Sequence, residues 1–149
     1  IFQDHIIRHT AVIPLGGEII TEDVKEGCSI IKRYAEELKL KFGSALAEKN
    51  SDNEVVAIPG LRGRPPKEIT LKNLANIIEA RLKDIIELID FEIKNSGFKK
   101  KLIGGIVLTG GGSQLKHLDV FTQYNTGMDT RIGYPNEYLS GKNSNKMAA

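Results

Sequence analysis

At 149 residues the chain has room for one ordinary domain, or a domain with a small subdomain, and is long enough to bury a core. Its 40% hydrophobic and 27% charged residues are those of a soluble globular protein, and 21 basic against 19 acidic residues leave a net charge of +2, too balanced to support nucleic-acid binding. A single cysteine excludes an internal disulfide, no His or Cys cluster offers a zinc site, and no apolar run approaches the roughly 18 residues that span a bilayer.

The opening IFQDHIIRHT is neither a signal peptide nor an ordinary translation start, so a cytoplasmic chain cut from something longer is expected. Ile6 to Leu15 alternates loosely and is rich in β-branched residues, which predicts a strand running into the turn Gly16-Gly17, with His5 and His9 as surface or strand-edge histidines. Thr21 followed by Glu22 and Asp23 has the hydroxyl and first-turn acids of a helix start. Cys28, Ile31, Ala35, Leu38 and Phe42 recur at three- and four-residue intervals and predict a helix from about Gly27 to Phe42, capped by Gly43, with Cys28 an inert core thiol. Glu36 and Lys39 lie one turn apart beside that apolar stripe, a spacing that by itself reads as a solvated ion pair.

After a polar turn cluster ending at Asn53, Glu54 to Ile58 predicts a short strand and Lys67 to Ile69 its partner. Between them PGLRGRPP is a basic, proline-bounded loop whose Arg62 and Arg64 fit a solvated hairpin tip. Thr70 caps the longest predicted helix, whose apolar residues from Leu71 to Ile93 keep the helical period until Asn95-Ser96-Gly97. About 25 residues make a rod of roughly 37 Å, with Lys72, Asn73, Arg81, Lys83 and Asp84 on its polar face. Ile106 to Leu108 is an apolar run of the kind a strand buried on both faces needs, and Thr109-Gly110-Gly111-Gly112 stops it. Ser113 is placed to cap a helix from Gln114 to Phe121.

A strand, a glycine turn and a helix N-terminus together form a nucleotide cradle, because the glycines let a ligand approach without a Cβ and free N–H groups favour an anion or a polar ring edge. The same signal fits a tight βα turn that holds nothing. Gly110 and Gly112 match the first two positions of G-x-G-x-x-G, but the third falls on Leu115, and no P-loop occurs anywhere. Thr130 to Tyr134 predicts a further strand ended by Pro135, and the residues from Glu137 onward read as a loose end. Strands interspersed with helices predict an α/β or α+β fold with a buried sheet.

Three segments resemble, in order, the second half of an actin-like ATPase: LGGEIIT at Leu15 to Thr21, AEELKLKFGSA at Ala35 to Ala45, and GGIVLTGGGSQL at Gly104 to Leu115. Within that superfamily IPLGGEIIT, and the run LANIIEARLKDIIELI just before the glycine segment, are most similar to FtsA, the bacterial cell-division family that links FtsZ to the membrane. The resemblance implies an α/β, ribonuclease H-like half-domain: a partial subdomain IIA at about 1–17 and 70–149, with a small α+β subdomain IIB inserted at about 18–69. It implies that Gly110, Gly111, Gly112 and Ser113 line the purine and ribose, that Glu36 and Lys39 contact the nucleoside, and that Gly16 and Gly17 approach the same cleft. ATP and Mg²⁺ are implied for the intact protein. The chain alone is expected to bind none and to catalyse nothing, because the phosphate motifs and catalytic acid would precede Ile1.

The resemblance further implies actin-like self-association, other divisome partners, and a place on the inner face of the membrane at the division site through a C-terminal helix beyond Ala149. The acidic, apolar tail of FtsZ would dock on IIB and the start of the long helix, with Arg81 the leading contact and Lys72 and Lys83 behind it. An MreB-like filament protein, an Hsp70-like chaperone, a sugar kinase and a plain α/β binding domain are the competing expectations.

Overall fold

The computed structural model describes residues 1–51, 53–60 and 63–134. The chain opens on a two-stranded antiparallel hairpin, β1 (Phe2–Gln3) with β2 (Ile6–Ile7). Asp4 and His5 form its turn, both at positive φ, the combination that matches the right-handed twist of flanking strands. The strand expected over Ile6 to Leu15 is therefore only two residues long; the chain from Arg8 to Leu15 has no regular partner.

Helix α1 (Gly17–Cys28) is followed by α2 (Lys32–Phe42). The single helix expected from Gly27 to Phe42 is thus broken, because Ser29 adopts the left-handed conformation and its N–H bonds back to Glu26. Nor is Thr21 a cap. Gly16 occupies that position in extended backbone, and Thr21 lies one turn inside α1, 1% exposed. A 3₁₀ turn (Ala47–Lys49) leads to the antiparallel pair β3 (Val55–Ile58) and β4 (Lys67–Thr70), in register from Val55 opposite Thr70 to Ile58 opposite Lys67. Arg62 of the intervening loop lies outside the described residues.

The long helix forms as its period predicts. It is α3 (Leu71–Asn95), opened by Thr70, whose hydroxyl accepts from the Asn73 N–H at 3.2 Å. Leu74, Ala75 and Ile78 are fully buried on its inner face, with Leu82, Ile85 and Ile86 continuing the stripe. Leu74, Ile78, Leu82, Ile85 and Ile86, together with Val24 of α1, Ala35 and Leu38 of α2, Ile58 and Ile69 of the hairpin, and Leu118 and Phe121 farther on, make one core. Each of the larger side chains, Val, Leu, Ile or Phe, contributes about 1.5–3 kcal/mol.

Past α3 come a 3₁₀ turn (Lys99–Lys101), β5 (Ile106–Leu108), a 3₁₀ turn (Gly111–Gln114), α4 (Leu118–Thr126) and β6 (Thr130–Ile132), which pairs parallel with β5. The helix expected from Gln114 starts four residues later. Ser113 does not cap it: its hydroxyl donates to the Gly110 carbonyl at 2.7 Å inside the glycine turn, and His117, in left-handed backbone, stands before Leu118. The buried sheet is corrected as well. Among the described residues the strands form three separate pairs, and Val107 in the middle of β5 is 47% exposed. Among the described residues β6 is the one strand paired with β5, and the face that carries Val107 is only partly covered. Pro135 and the residues after it lie outside the described part.

Candidate functional site

A cavity of about 780 Å³ opens between the N-terminal turn of α1, the length of α2, and the segment from Gly111 to Lys116. Its position follows from the packing. α1 lies on both α2 and α3, and the end of α2 is tied to the far wall where Ser44 bridges Lys116 and the Ala45 N–H bonds to the Lys116 carbonyl at 2.9 Å. The Ser44 hydroxyl adds a contact of 3.1 Å to Nδ1 of His117.

Five of the eight residues expected at a nucleotide site line this cavity: Gly17, Glu36 and Lys39 on the helical wall, Gly111 and Gly112 on the other. Gly16, Gly110 and Ser113 are not part of the lining. Gly16 caps α1, Ser113 is buried on its own turn, and Gly110 takes a φ of 88° that lets the chain leave β5. Gly43 closes the bottom. A Cβ there would collide with the Lys39 carbonyl and stand 2.7 Å from Cδ1 of Leu115, so the two walls approach each other only because this residue has no side chain.

The helical wall carries a compact polar lattice. The Lys39 ammonium donates to the Gly17 carbonyl at 3.0 Å, to the Thr21 hydroxyl at 2.7 Å and to Glu36 at 2.8 Å. Those three bonds use its whole donor capacity, so Lys39 can meet a ligand through its stem but not through its charge. The Thr21 hydroxyl in turn donates to Glu36. Partial burial of Glu36 opposes ionisation, but the hydrogen bonds from Lys39 and Thr21 outweigh it and hold the carboxyl below its ordinary range. Glu36 is 43% exposed, and its free lone pairs face the cavity as acceptors for hydroxyl or amino groups.

At the rim, Lys32 binds Glu18 at 2.6 Å and Glu22 at 3.0 Å, bonds that push its ammonium above the usual lysine range. Around the opening Lys32, Arg33 and Lys39 are each paired with an acid, Lys32 with Glu18 and Glu22, Arg33 with Glu37 and Lys39 with Glu36, and Lys116 adds a further cation to the lining. Ile20, Leu40 and Leu115 supply the apolar surface. The sequence reading missed Thr21 and the rim residues. The four-residue step from Gly17 to Thr21 puts both on one helical face, a signal that emerges once α1 begins at Gly17 rather than at Thr21.

The basic face expected on α3 is divided. Arg81 turns toward α1, where its Nε and one terminal nitrogen meet the two oxygens of Asp23 at 2.5 and 3.1 Å, with Asp84 a further 3.2 Å contact. Lys72 and Lys83 instead line a groove of about 1020 Å³ between α3 and α4, beside the exposed Val120 and Tyr124. Nine residues separate Lys72 from Arg81, and at 3.6 residues per turn that is half a rotation, so no single α3 face presents all three.

The family model described as cell division protein FtsA matches residues 1–149. FtsA of Pseudomonas aeruginosa is 35% identical over 135 residues, that of Escherichia coli K12 33% over 142, and that of Bacillus subtilis 33% over 148. These alignments take in 91%, 91% and 95% of the chain but 32%, 34% and 33% of the relatives, so the chain spans about a third of their length. Two crystal structures of MreB5 from Spiroplasma citri, bound to ADP and to AMPPNP, superpose with TM-scores of 0.66 and 0.68 at 20% identity, covering 81% and 80% of this chain and 40% and 39% of theirs. With the actin-like α/β fold those structures show and the sequence kinship that runs through nearly all of it, the chain belongs to the FtsA family of cell-division proteins.

Proposed function

We propose that the cleft between α1, α2 and the glycine turn is the adenosine side of an ATP site in the intact protein. The observation that carries this reading is the convergence on one cavity of Gly17, Glu36 and Lys39 with Gly111 and Gly112, residues up to 95 positions apart in sequence. The cavity suits a nucleoside in size and chemistry: apolar walls for a ring, a carboxylate with unused acceptor capacity for ribose or amino hydrogens, and a glycine turn without side chains in the way. The MreB5 structures that share the fold hold ADP and AMPPNP, which supports the same assignment. Among the described residues no group of three or more His, Cys, Asp or Glu could hold a metal.

The intact protein, in this proposal, self-associates, works with other division proteins and holds FtsZ at the inner face of the membrane. No helix among the described residues is long and apolar enough to cross a membrane. The acidic FtsZ tail docks at the α1–α3 seam, where Arg81 keeps 28% of its side chain exposed. Titrating the intact protein with ATP tests the first part: Glu36→Ala is expected to weaken binding about tenfold, the worth of a hydrogen bond to a charged group. Unchanged affinity in that variant would remove the assignment of the cleft. Charge reversal in Arg81→Glu is expected to abolish tail binding, and a tail affinity equal to wild type would move the docking site elsewhere.

A further inference from the structure

We infer that Thr21 is a positioning residue of this cleft, fixing the side chains that meet the nucleoside; the inference rests on the nucleotide reading above. Thr21 is 1% exposed and sits one turn inside α1. Its hydroxyl is placed between the two charged groups of α2. It accepts from Lys39 at 2.7 Å and donates to Glu36, with the Gly17 carbonyl one turn back at 3.2 Å as a second acceptor. A buried hydroxyl costs free energy unless it is bonded, and here the groups that satisfy it from outside its own helix are the two polar side chains of the cleft's helical wall.

The geometry gives the oxygen a definite task. Glu36 and Lys39 are three residues apart on α2 and would form an ion pair without Thr21; Lys39, 13% exposed, is also held by the Gly17 carbonyl, but Glu36, 43% exposed, would have only the lysine to fix it. A third group, carried on a different helix and locked by core packing, gives the carboxylate a second anchor and turns the pair toward the cavity. Gly17 completes the arrangement. Its carbonyl accepts from the Lys39 ammonium at 3.0 Å, and a Cβ there would make only an ordinary van der Waals contact, 3.6 Å, with that ammonium. The charged groups that face Glu36 are Lys39 beneath it and Lys32 at the rim.

The Thr21→Ser and Thr21→Ala variants of the intact protein differ from each other by one oxygen, and both lose the methyl group, so any cost of the smaller side chain is common to the two. Titration with ATP near neutral pH is expected to leave the serine variant within about twofold of wild type and to weaken the alanine variant about tenfold. As pH is lowered, loss of ATP affinity should set in at higher pH for the alanine variant, because Glu36 no longer receives the hydroxyl proton, and at the wild-type pH for serine. Equal affinity and equal acid profiles for the two variants, with wild type binding ATP, would overturn the role of Thr21 alone. Failure of the wild-type protein to bind ATP would overturn the nucleotide reading and this inference with it.

Discussion

The helical wall of the cleft presents charged side chains that hold one another in place, whereas the glycine wall presents backbone and is held from outside. Gly17, Thr21, Glu36 and Lys39 form a closed set of hydrogen bonds that rests on the core shared by α1, α2 and α3. Gly111 and Gly112 have no side chains to bond, and their turn is anchored through Ser113 to the Gly110 carbonyl and through Lys116 and His117 to Ser44. Under the proposed nucleotide reading the first wall would supply discrimination and the second closeness of approach. Each should therefore fail in its own way when its support is removed.

The largest effect is expected from Ile78→Ala. Ile78 is fully buried in the cluster that also contains Val24 and Leu38, so it lies in the foundation of the helical wall. The substitution should cost about 2–5 kcal/mol in urea unfolding, the usual price of a large core truncation. A cost below about 1 kcal/mol would mean that α1 and α2 do not depend on α3 in the way their packing indicates.

Gly43→Ala attacks the point where the walls meet. The new methyl group needs the space of Leu115 on one side and of the Lys39 carbonyl on the other, so one wall has to retreat. A loss of about 1–3 kcal/mol is expected, the range for overpacking, with NMR shifts at both Lys39 and Leu115. Shifts on one side only would show which wall is the softer.

The difference between the walls also explains what could be read from the chain in advance. α3, its Thr70 cap and the β3–β4 hairpin were legible because period, cap and turn chemistry agree with one another there. The break between α1 and α2 was not, since the apolar spacing from Cys28 to Phe42 runs on across Ser29, whose left-handed backbone carries no glycine to announce it. Thr21 looked like a cap because Glu22 and Asp23 follow it. In the fold these acids serve Lys25 and Arg81. The exposed face of β5 escaped detection for a different reason: an apolar triplet shows what a strand can bury, not what the rest of the chain brings to cover it. The cleft residues themselves were found by family resemblance. Spacing alone left Glu36 and Lys39 as a surface pair, and Thr21, which bonds to both, lies on another helix.

A smaller effect, confined to the glycine wall, is expected from Ser44→Ala. The Ser44 hydroxyl joins His117 at 3.1 Å and also bonds both backbone groups of Leu46, donating to its carbonyl at 3.2 Å and accepting from its N–H at 3.3 Å. Its loss should cost about 1 kcal/mol and raise hydrogen exchange at Ala45 and the residues around His117, while α1 and α2 exchange as before. Faster exchange in α1 would show that the walls are coupled rather than separately supported.

The smallest expected effect is the most selective, because it uses pH to loosen the helical wall without a substitution. Glu36 has its carboxyl held below its ordinary value of 4.5 in the folded chain, so its contribution to stability is fully present above that value and is lost as pH falls through the lower folded value. At 43% exposure that contribution is heavily screened by solvent, and the global unfolding free energy should hardly register it. The local signal is different. Protonating Glu36 removes its attraction for the Lys39 ammonium, so NMR resonances of Gly17, Thr21 and Lys39 should move together with one midpoint below 4.5. Gly111 and Gly112 have no carboxylate in their anchoring contacts, which run through Ser113, Lys116, His117 and Ser44, and should stay still over the same interval. Coincident movement of the glycine wall would mean that the closed lattice of the first wall also sets the position of the second, and the cleft would then respond to its ligand as one unit instead of two.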